Sequence, residues 1–170
     1  MIRPMRDLER DLETDLALSE RQVVRHYGLT LKDCREAGLS VQSASIAPTV
    51  HRKATRDVNF VLLEPRDFAP FELRHFAGIA EARHHLQADA RDWQVMQHAA
   101  QTSPDASWQR GNETWAVEFD AGAYSRATVL EKAQAFRAGF DGQVWAVSSS
   151  QRQDTLQGWL EQTPLLVRPF

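Results

Sequence analysis

The run Trp115-Ala116-Val117-Glu118-Phe119-Asp120 alternates in polarity, and that alternation leaves it little choice but an extended strand. Successive side chains of a strand point to opposite faces, so Trp115, Val117 and Phe119 share one face and Glu118 and Asp120 the other. Two carboxylates side by side repel, and strands disfavour aspartate. A cation, either a divalent metal or a basic side chain, would resolve that repulsion. Pro104-Asp105 lies upstream, and a helix-like segment carrying Lys132 lies downstream. The stretch from Pro104 to Lys132 therefore reads as a site.

The frame around it is ordinary. A chain of 170 residues, 42% hydrophobic and 25% charged, suits one compact domain or two small ones, with a core that needs neither disulfides nor structural metal. The single cysteine, Cys34, excludes an internal disulfide and suits a reducing compartment. No apolar run reaches transmembrane length, and Met1 to Asp15 is charged throughout, unlike a signal peptide. The expectation is a cytoplasmic protein with no membrane contact.

A net charge of -3 gives no global sign of a nucleic-acid partner, but the charge is uneven. From Arg21 to Arg56, seven basic residues stand against Asp33 and Glu36 alone; from Ser107 onward the balance is near neutral. All five tryptophans lie from Trp93 onward. The asymmetry suggests two modules, a helical part over 1–48 and an α/β part over 49–170.

Within the first module, Met5, Leu8, Leu12 and Leu16 recur at helical spacing among charges, an amphipathic helix. Ser19 caps a second helix through Val23, Val24 and Tyr27, and Gly28 ends it. Thr30 caps a third helix, Leu31 to Ala37, which Gly38 closes. Two short helices joined at a glycine match a helix-turn-helix with Val24 and Cys34 buried, and with Thr30, Lys32, Asp33 and Arg35 facing a DNA groove. Arg21, Arg25, Arg52 and Lys53 add basic charge for the DNA backbone. A plain helical hairpin is the alternative. Any wing is abbreviated, because Ser40 to Thr49 is short, rich in Ser and Ala, and contains Pro48.

Residues 49–63 read as one helix, with Val50, Ala54, Val58 and Val61 on a stripe; Pro65 and Pro70 then break regular structure. Residues 78–99 read as helical again, anchored by Ile79, Leu86, Trp93 and Met96. His84 and His85 are adjacent and so diverge on a helix, making a poor metal pair. From Ser107 the pattern changes. Ser107–Gln109 and Trp115–Asp120 form a strand pair across Gly111-Asn112. A helix runs from Ser125 to about Phe140, then come a strand at Val144–Val147, a helix over 151–161 and a last strand at Leu165–Val167. The order β-β-α-β-α-β argues for a mixed sheet flanked by helices, α/β within an α+β whole. At about 100° per residue Lys132 sits about 60° from Val129, on the rim of the helix face that packs on the sheet. From there a lysine can snorkel toward Glu118 and Asp120. Arg126 occupies the opposite rim.

Asp105, a hairpin, Val117-Glu118-Phe119-Asp120 and a following helix with Lys132 together resemble the PD-(D/E)XK, or restriction-endonuclease-like, nuclease core. More narrowly, His51 with Asp57-Val58-Asn59, the aspartate motif, Val-Glu-Phe-Asp-Ala-Gly and the lysine helix resemble bacterial replication-relaxation proteins. Those are associated with plasmids and other mobile elements, and join a winged helix-turn-helix to a nuclease-like domain. The resemblance covers roughly residues 20–150. It implies that Asp105 and Glu118 would bind Mg²⁺, an oxygen-seeking ion that keeps several waters, and that catalysis would involve Asp105, Glu118, Asp120 and Lys132.

The chain departs from that pattern in two places. The position two residues after the acid, normally lysine, is Asp120, so Lys132 would have to serve from the helix. No acidic residue stands just before the aspartate motif, where Gln94 and Gln97 occur and Glu81 is a distant substitute. A structural network, with Glu118 and Asp120 paired to Arg126 or Lys132, is therefore a full alternative. Three functions follow: a DNA-binding protein of a mobile element with a nuclease-like scaffold, an Mg²⁺-dependent endonuclease, or an interaction module that homodimerises through the Met5/Leu8/Leu12/Leu16 stripe without touching DNA.

Overall fold

In the computed structural model the described residues are 3–47, 54–97 and 102–170. The N-terminal part orders as α1 (Arg3–Asp15), β1 (Leu18–Ser19), α2 (Glu20–Tyr27), α3 (Leu31–Glu36), β2 (Ser40–Ile46) and β3 (Arg56–Leu62). β1 and β2 flank β3, both antiparallel to it. Ser19 and Gln22 make a reciprocal capping box at α2, and Thr30 and Asp33 make another at α3. Gly28 turns between them at φ 67°, a left-handed conformation that glycine adopts without steric cost. Met5, Leu8 and Leu12 are buried with Leu18, Val23, Cys34 and Val61 in one core. The leucine stripe is thereby used inside the chain.

Three expectations for this part are corrected. Val24 is 51% exposed and its neighbour Val23 takes the core position, because α2 is rotated to bring Gln22 inward. The hairpin after α3 is full length: seven pairs run in register from Ser40 opposite Leu62 to Ile46 opposite Arg56. Residues 56–62 are a strand and not part of a helix. Val58, Phe60 and Leu62 alternate, and their burial at the end of β3 outweighs the helical stripe. Val50 and His51 lie outside the described residues. β3 starts beyond residue 48 and completes the small sheet.

The second part is a five-stranded mixed sheet in the order β4-β5-β6-β7-β8: β4 (Trp93–Val95), β5 (Ala106–Arg110), β6 (Glu113–Asp120), β7 (Gly142–Val147) and β8 (Leu165–Leu166). The first three are antiparallel, and the last two run parallel to β6. α5 (Arg126–Gly139) crosses from β6 to β7, and α6 (Ser150–Gln157) from β7 to β8. Each parallel step thus gets the helical crossover it needs. The expected mixed α/β architecture holds, extended by β4 at the edge.

A helix expected over 78–99 instead runs earlier, as α4 (Pro70–His85). Pro70 does not break this helix but opens it, since a first-turn proline lacks only an N–H that the helix would leave unused. Leu86 caps the far end, Gln87 turns with φ 54°, and Trp93 passes into β4. α4 covers one face of the large sheet: Ile79 and Ala82 pack with Val117, Phe119 and Ala146. α5 and α6 cover the other, where Val129, Ala133, Phe136 and Leu156 pack with Ala116, Trp145 and Val147. A Cβ at Gly78 would stand 2.3 Å from the Phe119 ring, so α4 approaches β6 as closely as a bare backbone allows.

The two parts meet through α4. Arg83, 3% exposed, donates from Nη2 to Asp15 Oδ2 at 2.6 Å and lies 2.9 Å from Asp11 Oδ2. Gln22 Nε2 donates to Ala77 O and Glu81 Oε2 at 2.9 and 3.0 Å, and Arg25 pairs with Glu81. The His26 and His84 rings stack at 4.0 Å. No helix among the described residues is long and apolar enough to cross a membrane.

Candidate functional site

The hairpin register builds the site. Arg110 stands opposite Glu113 and Ala106 opposite Val117, so one step further Asp105 stands across from Glu118. Directly opposed residues of an antiparallel pair share a face, with Cβ atoms about 4.5–5.5 Å apart. Glu118 takes the face covered by α5, because it follows Ala116 on that side, while Asp105, just before β5, also reaches α4. Asp105 is fixed there by Phe119 N, which donates to its Oδ2 at 2.8 Å. Asp105 and Glu118 do come together, as the sequence suggests.

The cation that the paired acids require is Lys132. Its Nζ lies 3.1 Å from Glu118 Oε1 and donates to Ser103 O at 2.8 Å. Lys132 is 5% exposed and Glu118 fully buried. Burial, reinforced by the neighbouring Asp105 charge, pushes the Glu118 carboxyl well above its usual range against the opposing pull of Lys132. Tyr124, beside Glu118, has its hydroxyl pKa raised by burial and then by the Glu118 charge.

Asp120 is also buried, but it serves a different partner. Its Oδ1 accepts from Gly122 N and Ala123 N at 2.6 and 3.0 Å, closing the turn after β6. Its Oδ2 pairs with Arg152 of α6, with Arg152 Nε at 2.9 Å, and Arg152 also donates to Tyr124 O. Arg126, the other cation considered for these acids, is exposed. Glu81, the distant acidic substitute, faces α2, and Gln94 lies in β4.

A cavity of about 700 Å³ opens beside this cluster, between the start of α4, the end of β6 and α5. Asp105, Asp120 and Lys132 line it, together with Phe71, His75 and Tyr124. His75, on α4, brings Nε2 to 3.3 Å from Asp105 Oδ1. Among the described residues, no three His, Cys, Asp or Glu side chains converge as metal donors. Glu118 is sealed behind Lys132, and one Asp105 oxygen is already used by Phe119 N. The set as arranged holds an ammonium against Glu118.

Sequence reasoning missed His75, Tyr124 and Arg152. His75 becomes visible once Ala69-Pro70 is read as a helix start with Glu72 at the third position, because Glu72 Oε2 accepts from Ala69 N. Arg152 carries no local signal; its partner is 32 residues away.

Of the expected DNA-contacting residues, Thr30, Lys32 and Arg35 are exposed on and beside α3. Asp33 is spent on the cap, accepting from Thr30 N at 2.8 Å. Arg25 turns toward the second part, pairing with Glu81 and donating to Arg168 O at 3.0 Å. Arg21, exposed, reaches Phe170 O at 3.4 Å. Arg52 and Lys53 lie outside the described residues. Comparison with models of protein families, with curated proteins and with solved structures finds no match to this chain.

Proposed function

We propose that this is a cytoplasmic DNA-binding protein in which a winged helix-turn-helix presents α3 to duplex DNA and the α/β part is a nuclease-like scaffold without catalysis. One observation carries the reading: α2, the Gly28 turn and α3 are followed at once by the β2–β3 hairpin, with Thr30, Lys32 and Arg35 left exposed. A second helix laid in the major groove, with basic side chains at the phosphates, is the docking mode such an arrangement serves. A part in the replication or mobilisation of a plasmid or other mobile element follows from the resemblance described for the sequence. The scaffold role is supported by Lys132, whose ammonium already neutralises Glu118.

Gel retardation of a random duplex at rising salt tests it. Phosphate contacts make affinity fall steeply with salt, so a complex at low salt that dissolves as salt rises is expected. No retardation at the lowest salt would refute the reading.

The register favours one other reading, an Mg²⁺-dependent endonuclease, because Asp105 stands opposite Glu118 with a lysine beside them. It requires Lys132 to release Glu118. Plasmid DNA incubated with Mg²⁺ or Mn²⁺ decides between the two: nicking that disappears in Glu118→Ala establishes the enzyme, and intact plasmid with both proteins leaves the scaffold.

A further inference from the structure

We propose that β2 is a dimer interface, its free edge pairing antiparallel with β2 of a second copy of the chain. The small sheet ends at β2, which has β3 on one side only. In an antiparallel ladder every second residue turns its N–H and C=O away from the neighbouring strand. Among the described residues, no hydrogen bond beyond the β2–β3 ladder involves the main chain of β2. Proteins protect such edges by keeping them very short, or by placing charge or proline on them. The other edges, β1, β4 and β8, are two or three residues long. β2 runs for seven, Ser-Val-Gln-Ser-Ala-Ser-Ile, with neither charge nor proline. An edge of this kind selects an extended strand through main-chain hydrogen bonds.

The sequence of β2 fits its own copy. Full overlap about a two-fold axis sets Ser43 against its own counterpart. Ile46 then faces Ser40, Gln42 faces Ala44 and Val41 faces Ser45, so each larger side chain meets a smaller one. No like charges are opposed, and the two Ser43 hydroxyls can bond at the axis. Ser43 and Ser45 are exposed. Phe71, 65% exposed, adds apolar area at the same corner of the molecule. Its neighbour Phe68 is bonded through N and O to the Gln42 side chain, and Arg74, one turn further along α4, donates to Ala47 O. An isologous contact of this kind closes at two subunits. It uses a different surface from the Met5/Leu8/Leu12 stripe, which is buried within the chain, and it stands independently of the DNA-binding reading.

Sedimentation equilibrium of the full chain over a concentration series tests it, and a reversible monomer–dimer equilibrium is expected. Ser43→Lys sets like charges against each other at the axis and should shift the protein to monomer, as should Ser43→Glu. Mixing the two variants should restore a dimer, because lysine then opposes glutamate. A wild type that stays monomeric throughout the series overturns the proposal and leaves the edge to a strand of some other protein. A dimer that survives Ser43→Lys belongs to another surface and overturns it too, as does a mixture that remains monomeric. Hydrogen exchange of the wild type reads the same edge without any substitution. The outward amides of β2 should exchange more slowly at high protein concentration than at low, while those of β4 stay unchanged. Equal exchange of the β2 amides at both concentrations refutes the pairing.

Discussion

Lys132 Nζ and Glu118 Oε1 lie 3.1 Å apart, both buried, one delivered by α5 and the other by β6. Removing one partner of a buried pair leaves a charge with no compensation, which is strongly destabilising; removing both is far milder. Lys132→Met is expected to lower the free energy of unfolding by about 3–5 kcal/mol. The double variant Lys132→Met/Glu118→Gln should recover most of that loss. Urea unfolding of wild type, Lys132→Met, Glu118→Gln and the double variant measures it, and equal losses in Lys132→Met and the double variant would contradict the pairing.

The same carboxyl gives a pH dependence. Glu118 holds its proton more tightly folded than unfolded, because burial and Asp105 raise its pKa. Through the window above the ordinary value of 4.5 the folded state therefore binds more protons, and stability falls as pH rises. The contribution is fully present below the unfolded pKa and lost through the folded one. Wild type should lose stability relative to Glu118→Gln as pH rises above 4.5. Denaturant melts of both proteins across pH check the sign, and parallel curves would show that Glu118 titrates normally.

Two glycines on helices should respond oppositely to alanine. At Gly78 the new methyl would meet Phe119 at 2.3–2.5 Å, so overpacking is expected to cost about 1–3 kcal/mol or more. At Gly139, near the end of α5, nothing lies within 4 Å, and the better helix propensity of alanine should stabilise by up to about 1 kcal/mol. Thermal unfolding of the two variants reads the contrast.

The basic residues of the first part should also divide. Lys32→Ala and Arg35→Ala should weaken duplex binding and lower the salt slope by about one each, with little change in melting temperature. Arg25→Ala should do the reverse, because it leaves Glu81 without its guanidinium at the contact between the two parts. Anisotropy titrations alongside melting curves separate these outcomes.

Where a periodic pattern met a uniform environment, the sequence was readable. β6 alternates and α5 keeps Val129, Ala133 and Phe136 inward, so both emerge as expected. Counting back across the Gly111-Asn112 turn even sets Asp105 against Glu118. β3 was misread because Val58 and Val61 satisfy a helical stripe as readily as Val58, Phe60 and Leu62 satisfy a strand. Its partner β2, Ser-Val-Gln-Ser-Ala-Ser-Ile, buries only Ile46 and signals weakly. The bond between Arg152 and Asp120 arises only when α6 docks, a tertiary event that no local spacing encodes.

Arg83 has a consequence for dissecting the chain. Its guanidinium sits in the second part, yet both of its carboxylates belong to α1. Cutting away the first helix would leave this fixed positive charge without either of its counter-charges, since arginine does not shed its proton. A fragment beginning at α4 would expose the contact with α1 and aggregate, so the halves have to be produced, and studied, joined.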